Sequence, residues 1–453
     1  MVCYRVQSKL YRFLSCTLLT LGRIAMQKLV KVDLGLILSI AVVLAVFECP
    51  LARAEDWPEF RGPNGQGIYG TRELPLRWSK SEGVKWRTEL PGNGWSSPIV
   101  VGGTIYLTAA VPVNKKPAGD NQDQDLMLMM IDVESGRLLK SVKLFTQSGA
   151  KAPGIHSKNS HASPTPIFEE GRLYLHFGHQ GTACTDLQGK MLWSNQELGY
   201  PPVHGNGGSP VVVGKLLIFS RDGADISQVT ALDKLTGKVV WQRERDVEAD
   251  KRFSFCTPLV IEAAGRKQLI LPGSNVVQSL VPETGEEIWR LIYDGYSVIP
   301  RPIYSDGLVF ICTGYNRPSL LAIDPTGTGD VTATHLRWKC DANVPHTPSL
   351  VARSGQILMV SDKGIASGVD AATGKELWKE RIGGNFSASP LLVGDRIYLL
   401  SEEGDTTILQ FGEPPLELAK NKLGERCLAS LAIVGNDLLI RSADALYRIS
   451  DGK

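Results

Sequence analysis

Along most of the chain one short pattern of apolar and polar positions returns. A small or polar residue is followed by proline, an apolar triplet, a glycine or charged turn, and a second apolar stretch. Copies begin at Ser97-Pro98, Thr165-Pro166, Ser209-Pro210, Thr257-Pro258, Arg301-Pro302, Thr347-Pro348 and Ser389-Pro390, and Ser430-Leu431 is a degenerate eighth. From Pro166 onward the steps are 44, 48, 44, 46, 42 and 41 residues, the length of one four-stranded propeller blade. The first step, 68 residues, holds a polar insertion around Val111 to Asp125.

Each copy continues through a strand such as Lys215-Leu216-Leu217-Ile218-Phe219 into a third strand closed by Asp-x-x-Thr-Gly-x-x-x-Trp. Asp233, Thr236, Gly237 and Trp241 form the cleanest case, and Asp370 to Gly374 with Trp378 repeats it. Asp186 to Trp193 is one residue shorter, Val281 replaces Asp before Gly285 and Trp289, and Asp324 to Trp338 carries an insertion. Asp and Thr side chains bond the turn backbone and Gly takes positive φ, which are hairpin devices. The regularly spaced Trp193, Trp241, Trp289, Trp338 and Trp378 are therefore expected to pack blade against blade, with each N–H needing an acceptor.

Eight inner strands are counted, yet the chain stops after Leu446-Tyr447-Arg448-Ile449 without a last outer strand, while Val84-Lys85-Trp86-Arg87 is left over at the start. Pairing the two removes the exposed edges. The expected fold class is all-β: an eight-bladed β-propeller with four-stranded antiparallel blades, its ring closed by the N-terminal strand. It occupies residues 84–453, preceded by a clasp segment at 55–83 and a signal peptide at 1–54.

The signal peptide is read from Lys28 and Lys31 ahead of the apolar run Leu34 to Phe47 and from Ala52-Arg53-Ala54 before Glu55, a basic, apolar and small-residue order. The run is about 14 residues, short of the roughly 20 that a spanning helix wants. Translation from Met26 would leave the same signal. The expected product is periplasmic or secreted, a monomer, with no stable membrane span after cleavage.

Removing residues 1–54 takes seven of the 49 basic and two of the 47 acidic residues, leaving a net charge of about −3. No basic field remains for nucleic acid. Five cysteines, Cys184, Cys256, Cys312, Cys340 and Cys427, follow the signal, an odd number without paired spacing. They indicate neither a disulfide framework nor a zinc site. Nucleophile-elbow, phosphate-loop and zinc-protease motifs are absent from the sequence.

Ala231 to Trp241 resembles the tryptophan docking motif of PQQ-dependent (pyrrolo-quinoline quinone) alcohol dehydrogenases, and is similar to the PQQ-like propellers typified by the BamB outer-membrane assembly lipoprotein. The resemblance runs from about Trp86 to Ile449. The opening Asp56-Trp57-Pro58-Glu59-Phe60-Arg61-Gly62-Pro63-Asn64-Gly65 resembles that of propeller-repeat proteins of planctomycete-type bacteria. The resemblance to the enzymes implies PQQ held between a Trp and a vicinal disulfide, calcium on carboxylate and amide oxygens, and an Asp base. This sequence has no Cys-Cys pair and no C-x-x-C-H haem site, so the expectation is no cofactor, with PQQ and calcium kept for the alternative.

In a four-stranded blade the loop entering the inner strand and the loop between the second and third strands share a face. That rule gathers Trp95, His156, His161, His179, His204, Arg221, Asp222, Tyr296, Tyr315, His346 and Phe386 around one mouth as ligand-binding candidates. A solvated rim is the competing reading, since any propeller carries polar residues there. His156, His161 and His204 suit a metal by type, but their spacing matches no local motif and no metal is assigned. Asp222 and Asp225 read as a calcium pair or as caps of the turn at Gly223, and the turn is preferred. Trp95 is the stacking candidate for a flat ligand or sugar ring.

The expected function is an exported, non-catalytic propeller binding a protein, peptide or carbohydrate partner on one polar and aromatic face, with no nucleic acid. A quinoprotein-type oxidoreductase is the alternative, and a polysaccharide-acting hydrolase or lyase the second. Catalytic residues are not assigned.

Overall fold

The computed structural model describes residues 56–70, 72–113, 122–152 and 154–451. The signal-peptide reading lies outside them. No helix among the described residues is long and apolar enough to cross a membrane.

Blades 1 to 7 occupy residues 99–147, 167–195, 211–244, 259–292, 303–340, 351–381 and 391–422, each a sheet whose four main strands follow one another antiparallel from the channel outward. Blade 3 shows the rule with Val211–Val213, Leu216–Asp222, Ser227–Asp233 and Val239–Glu244 in antiparallel register. Its second strand is buried on both faces because blades stack on both sides. Its outer strand alternates with solvent, as period-two side chains on a half-covered sheet must.

Blade 8 takes three strands from 432–449 and its fourth from Val84–Glu89, antiparallel to Ala445–Ile449 with Thr88 opposite Leu446. Trp86 Nε1 donates to Val133 O of blade 1 at 2.8 Å. Arg448 donates to the same carbonyl at 2.7 Å and pairs with Asp437 at 2.6 Å. The join between the two chain ends is thus bonded as fully as any other blade boundary.

The docking turns explain those boundaries. Trp193 Nε1 donates to Lys234 O at 2.9 Å, Trp241 to Pro282 O at 3.0 Å, and Trp338 to Ala371 O at 3.0 Å, each reaching the turn of the next blade. Trp289 and Trp378 instead donate to Gln268 and Gln356 of their own blades. Each indole that reaches across lies over the next turn's glycine, and a Cβ on Gly237 would stand 2.4 Å from Trp193. Asp233 Oδ1 accepts from Leu235 N, Thr236 N and Thr236 Oγ1. Burial pushes its carboxyl up, but these bonds outweigh that and hold it below the ordinary range.

The insertion between Asp324 and Trp338 has a definite place. Gly329–Asp330 adds a parallel fifth strand to the outer edge of blade 4 at Trp289 and Arg290. The polar insertion of blade 1 lengthens a hairpin, giving nine-residue strands at Thr104–Pro112 and Gln124–Asp132.

Residues 56–70 and 72–83 cross the end of the channel opposite the mouth. Trp57 bridges Val100 of blade 1, Pro58 O accepts from Phe168 of blade 2, and Gln66 Oε1 accepts from Tyr304 N of blade 5. Ile68–Tyr69 then pairs in parallel with Leu391–Val393 of blade 7. Asn421 bonds Trp78 N and Leu76 O beyond it.

Gly237→Ala should lower stability by about 1–3 kcal/mol from the φ of +72° alone, and by more once Trp193 is displaced. Gly214→Ala, at φ +58° with open space around the new Cβ, should carry the backbone cost only. Thermal unfolding of the two variants should show Gly237→Ala clearly the weaker.

Candidate functional site

Two residues ahead of every inner strand stands a residue facing the channel. In blades 1 to 4 it is Ser97, Thr165, Ser209 and Thr257, joined in series: Ser97 N donates to Thr165 Oγ1, Thr165 N to Ser209 Oγ, and Ser209 N to Thr257 Oγ1, each at 2.9 Å. The series resumes from Arg301 N to Ser349 Oγ at 3.0 Å, Ser349 N to Ser389 Oγ at 3.1 Å, and Ser389 N to Ser430 Oγ at 2.9 Å. A collar of hydroxyls therefore stitches neighbouring blades around the lumen. It also corrects the repeat register in blade 6, where Ser349, two residues before Val351–Arg353, fills the position that the sequence pattern gave to Thr347.

Blade 5 carries Arg301 where the others carry a hydroxyl. Its guanidinium turns to the clasp, donating to Pro258 O at 3.0 Å and Phe60 O at 2.9 Å and pairing with Glu59 at 3.2 Å. Burial pushes the Glu59 carboxyl up, against the pull of Arg301. Arg61 beside it donates to Gln66 O and Leu350 O, and burial, aided by the Arg301 charge, lowers its guanidinium to about 9. The clasp is thus anchored by charge as well as by strands.

Above this floor lies a cavity of about 450 Å³, lined by the collar hydroxyls, by Phe60 from the clasp, and by Trp95, His156, His204, Phe253 and Tyr296 among others. That size falls in the range of small-molecule sites, roughly 300–1,000 Å³. Its mouth carries a run of rings: His156 to His204 at 5.8 Å, His204 to Phe253 at 5.4 Å, Phe253 to Tyr296 at 5.7 Å, Tyr296 to Tyr315 at 6.1 Å and Tyr315 to His346 at 4.6 Å. Burial and then the His156 charge hold the His204 imidazole below its ordinary value.

A strap at 154–163 crosses part of the mouth. His156 N and Asn159 Nδ2 donate to His204 O, Lys158 pairs with Glu402 of blade 7 at 2.6 Å, and Arg426 donates to Ser157 O at 2.7 Å while lying 5.7 Å from the Trp95 ring. Opposite, Asp362 accepts from His346 N at 2.7 Å and Thr347 Oγ1 at 2.8 Å. Burial works to raise its carboxyl, and these bonds hold it below the ordinary range instead.

The structure brings Trp95, His156, His204, Tyr296 and Tyr315 together around the lumen, with His346 beside them. It takes the other candidates elsewhere. Asp222 is fully buried in a two-point ion pair with Arg245 at 2.9 Å, and Ser227 bonds it too, so neither oxygen faces the lumen. Arg221 is buried on Gln228 and Gly199 O and lies 5.8 Å from the Tyr200 ring. His161 is buried near Gln147, His179 is held by Asn206 and Gln180, and Phe386 is core. The collar, Phe60 and Lys158 were not among the candidates, although the recurring Ser or Thr before Pro was a visible sign of the collar.

Fold and repeated docking turns define a propeller of the PQQ-like repeat class. The family profile described as outer membrane protein assembly factor BamB matches residues 131–350 and 329–412, more than half of the chain, and the chain belongs to that family. A curated relative, tetrathionate hydrolase of Acidithiobacillus ferrooxidans, is 23% identical over 349 residues, and the chain spans 65% of that relative's length while the match takes 71% of this chain. Among solved structures, a europium-containing methanol dehydrogenase superposes with a TM-score of 0.61 at 11% identity, covering 86% of this chain and 90% of that one. The computationally designed Ika8 protein superposes with 0.53 at 13% identity, covering 79% and 98%. Likeness at these identities shows the fold alone.

Burial, helped by the nearby charges of His179 and Arg221, lowers His176 to about 3, and burial lowers His179 to about 4 against its bond with Asn206. Both folded values lie below the ordinary 6.5, so protons bind the unfolded chain preferentially. Stability is full above about pH 6.5 and drains as pH falls toward the folded values. Thermal midpoints should drop between pH 6.5 and 4, and His176→Phe should make that drop shallower.

Proposed function

We propose that this propeller is a non-catalytic binding module of the periplasm or cell exterior that receives a partner on the face bearing the aromatic mouth. The carrying observation is how the site's groups are committed. Lys158 is spent on Glu402, Asp362 on His346 and Thr347, and Arg301 on Glu59, while Tyr315 stays 44% exposed at the mouth. Rings on a fixed frame, beside polar groups already bonded within the protein, favour contact over proton transfer. The family description, an assembly factor of the outer membrane, supports a partner that is a protein and a location outside the cytoplasm.

A quinone and calcium fit these residues poorly. Among the described residues Asp362 is the one carboxylate lining the cavity, and both of its oxygens already accept bonds. Among the described residues no three His, Cys, Asp or Glu side chains are grouped to hold a metal. Calcium wants six to eight oxygen ligands, and no step is derived through either group.

A hydrolytic reading has one observation in its favour, the curated tetrathionate hydrolase relative. His346 Nδ1 lies 3.5 Å from Asp362, longer than the 2.6–3.2 Å expected of a base and its orienting group.

Site-specific photo-crosslinking of the full chain in its producing cell tests the proposal, with the probe at Tyr315 or, for comparison, at exposed Leu416 on an outer strand. A discrete crosslinked species from Tyr315 and none from Leu416 is expected. No species from Tyr315, or turnover of tetrathionate, polysaccharide or a dye-coupled alcohol by the purified chain, would overturn it.

A further inference from the structure

Seven of the cavity's polar groups, Ser97, Thr165, Ser209, Thr257, Ser349, Ser389 and Ser430, share one chemistry and one place in the repeat. Every collar hydroxyl from Thr165 to Ser430 that accepts a backbone N–H still has its own hydrogen to donate, and no described residue accepts it. The lumen is therefore ringed by O–H donors at one level, set by the common position two residues before each inner strand. Each oxygen also keeps a second lone pair, so the collar can accept as well as donate.

Charge is nearly absent by comparison. Lys158 and Asp362 line the space: Lys158 is paired with Glu402 at 2.6 Å, and both Asp362 oxygens already accept bonds, from His346 N and Thr347 Oγ1 at 2.7 and 2.8 Å. Among the described residues, bare anions would meet no free lysine or arginine there, and metal ions no carboxylate with a free oxygen. The apolar contribution is mainly aromatic, with Ile299 and Leu428 beside the rings: Phe60 lines the cavity from the clasp side, Arg301 fixes its carbonyl, and Phe253 and Tyr296 stand at 5.7 Å from one another. A ligand matched to this lining is uncharged, carries hydroxyls around its circumference and offers C–H faces to flat rings.

We infer that the cavity binds a neutral polyhydroxylated ring, a pyranose either free or at the end of a glycan. The inference rests on the reading of the mouth as a binding site and names what enters it. Hydroxyls at the sugar's edge meet the collar, its C–H face meets Phe253 or Tyr296, and the strap at 154–163 covers what remains. Good hydrogen bonds and aromatic contact supply orientation in such sites.

Titration calorimetry of the purified full chain with glucose, N-acetylglucosamine and maltotriose is the test. Saturable binding insensitive to added salt is expected, weakened tenfold or more by Tyr296→Ala and by Thr257→Val, with Thr257→Ser restoring it. Each variant's circular dichroism and melting point are measured first, and the hydroxyl rescue by Ser separates ligand contact from packing. Equal affinity for glucose and maltotriose marks a single free ring as sufficient, whereas binding of maltotriose alone marks a glycan end, and both support the inference. No saturation by any of the three, or binding untouched by Tyr296→Ala and Thr257→Val, overturns it. A Tyr315 crosslink obtained without sugar binding overturns this inference and leaves the partner-binding reading standing.

Discussion

The structure depends on one pairing, that of Val84–Glu89 with Ala445–Ile449. Without it blade 8 lacks its outer strand, blade 1 lacks the indole that docks on Gly136, and two sheet edges lie open. The pairing joins residues some 360 positions apart, so it closes a very long loop. Its entropic cost grows only slowly with length, Arg87 Nε donates to Tyr447 OH across the ladder at 2.9 Å, and Trp86 and Arg448 both bond Val133 O of blade 1.

Closure makes the site as well as the fold. Only in a closed ring do the collar hydroxyls of seven blades meet around one lumen, and only there can the clasp reach blades 1, 2, 5 and 7 from a single pass. The clasp in turn turns a channel into a cavity, because Arg301 departs from the hydroxyl rule to hold Glu59 and Phe60. The one irregular blade position is thus the one that seats the floor. Binding groups then stand on loops carried by a frame that does not move with them.

What the sequence made legible was local and periodic. Asp233 to Trp241 states a turn, its glycine and its docking indole within nine residues, and the next blade repeats them, so fold, blade count and closing strand were all readable. Spacing alone also predicted which loops share the mouth, and Trp95, His156, His204, Tyr296 and Tyr315 do meet there. Direction within a loop was not readable. Asp222 turns inward because Arg245, 23 residues later and just past the outer strand, is buried opposite it, and a buried cation of that kind leaves no mark on the spacing. Thr347-Pro348 matched the pattern better than Ser349-Leu350, yet the strand that follows begins at Val351. Phe60 belongs to no repeat, and its place in the lumen follows from Arg301 some 240 positions away.

Hydrogen exchange on the full chain, followed peptide by peptide, tests the closure most directly. Amides of Val84–Glu89 should exchange only in the opening that also releases 445–449 and the second strand of blade 1, Thr104–Pro112, since all three belong to one closed ring. Rapid exchange of 84–89 while the other two segments remain protected would contradict it, and would leave a propeller whose ring stands without the strand on which this account rests.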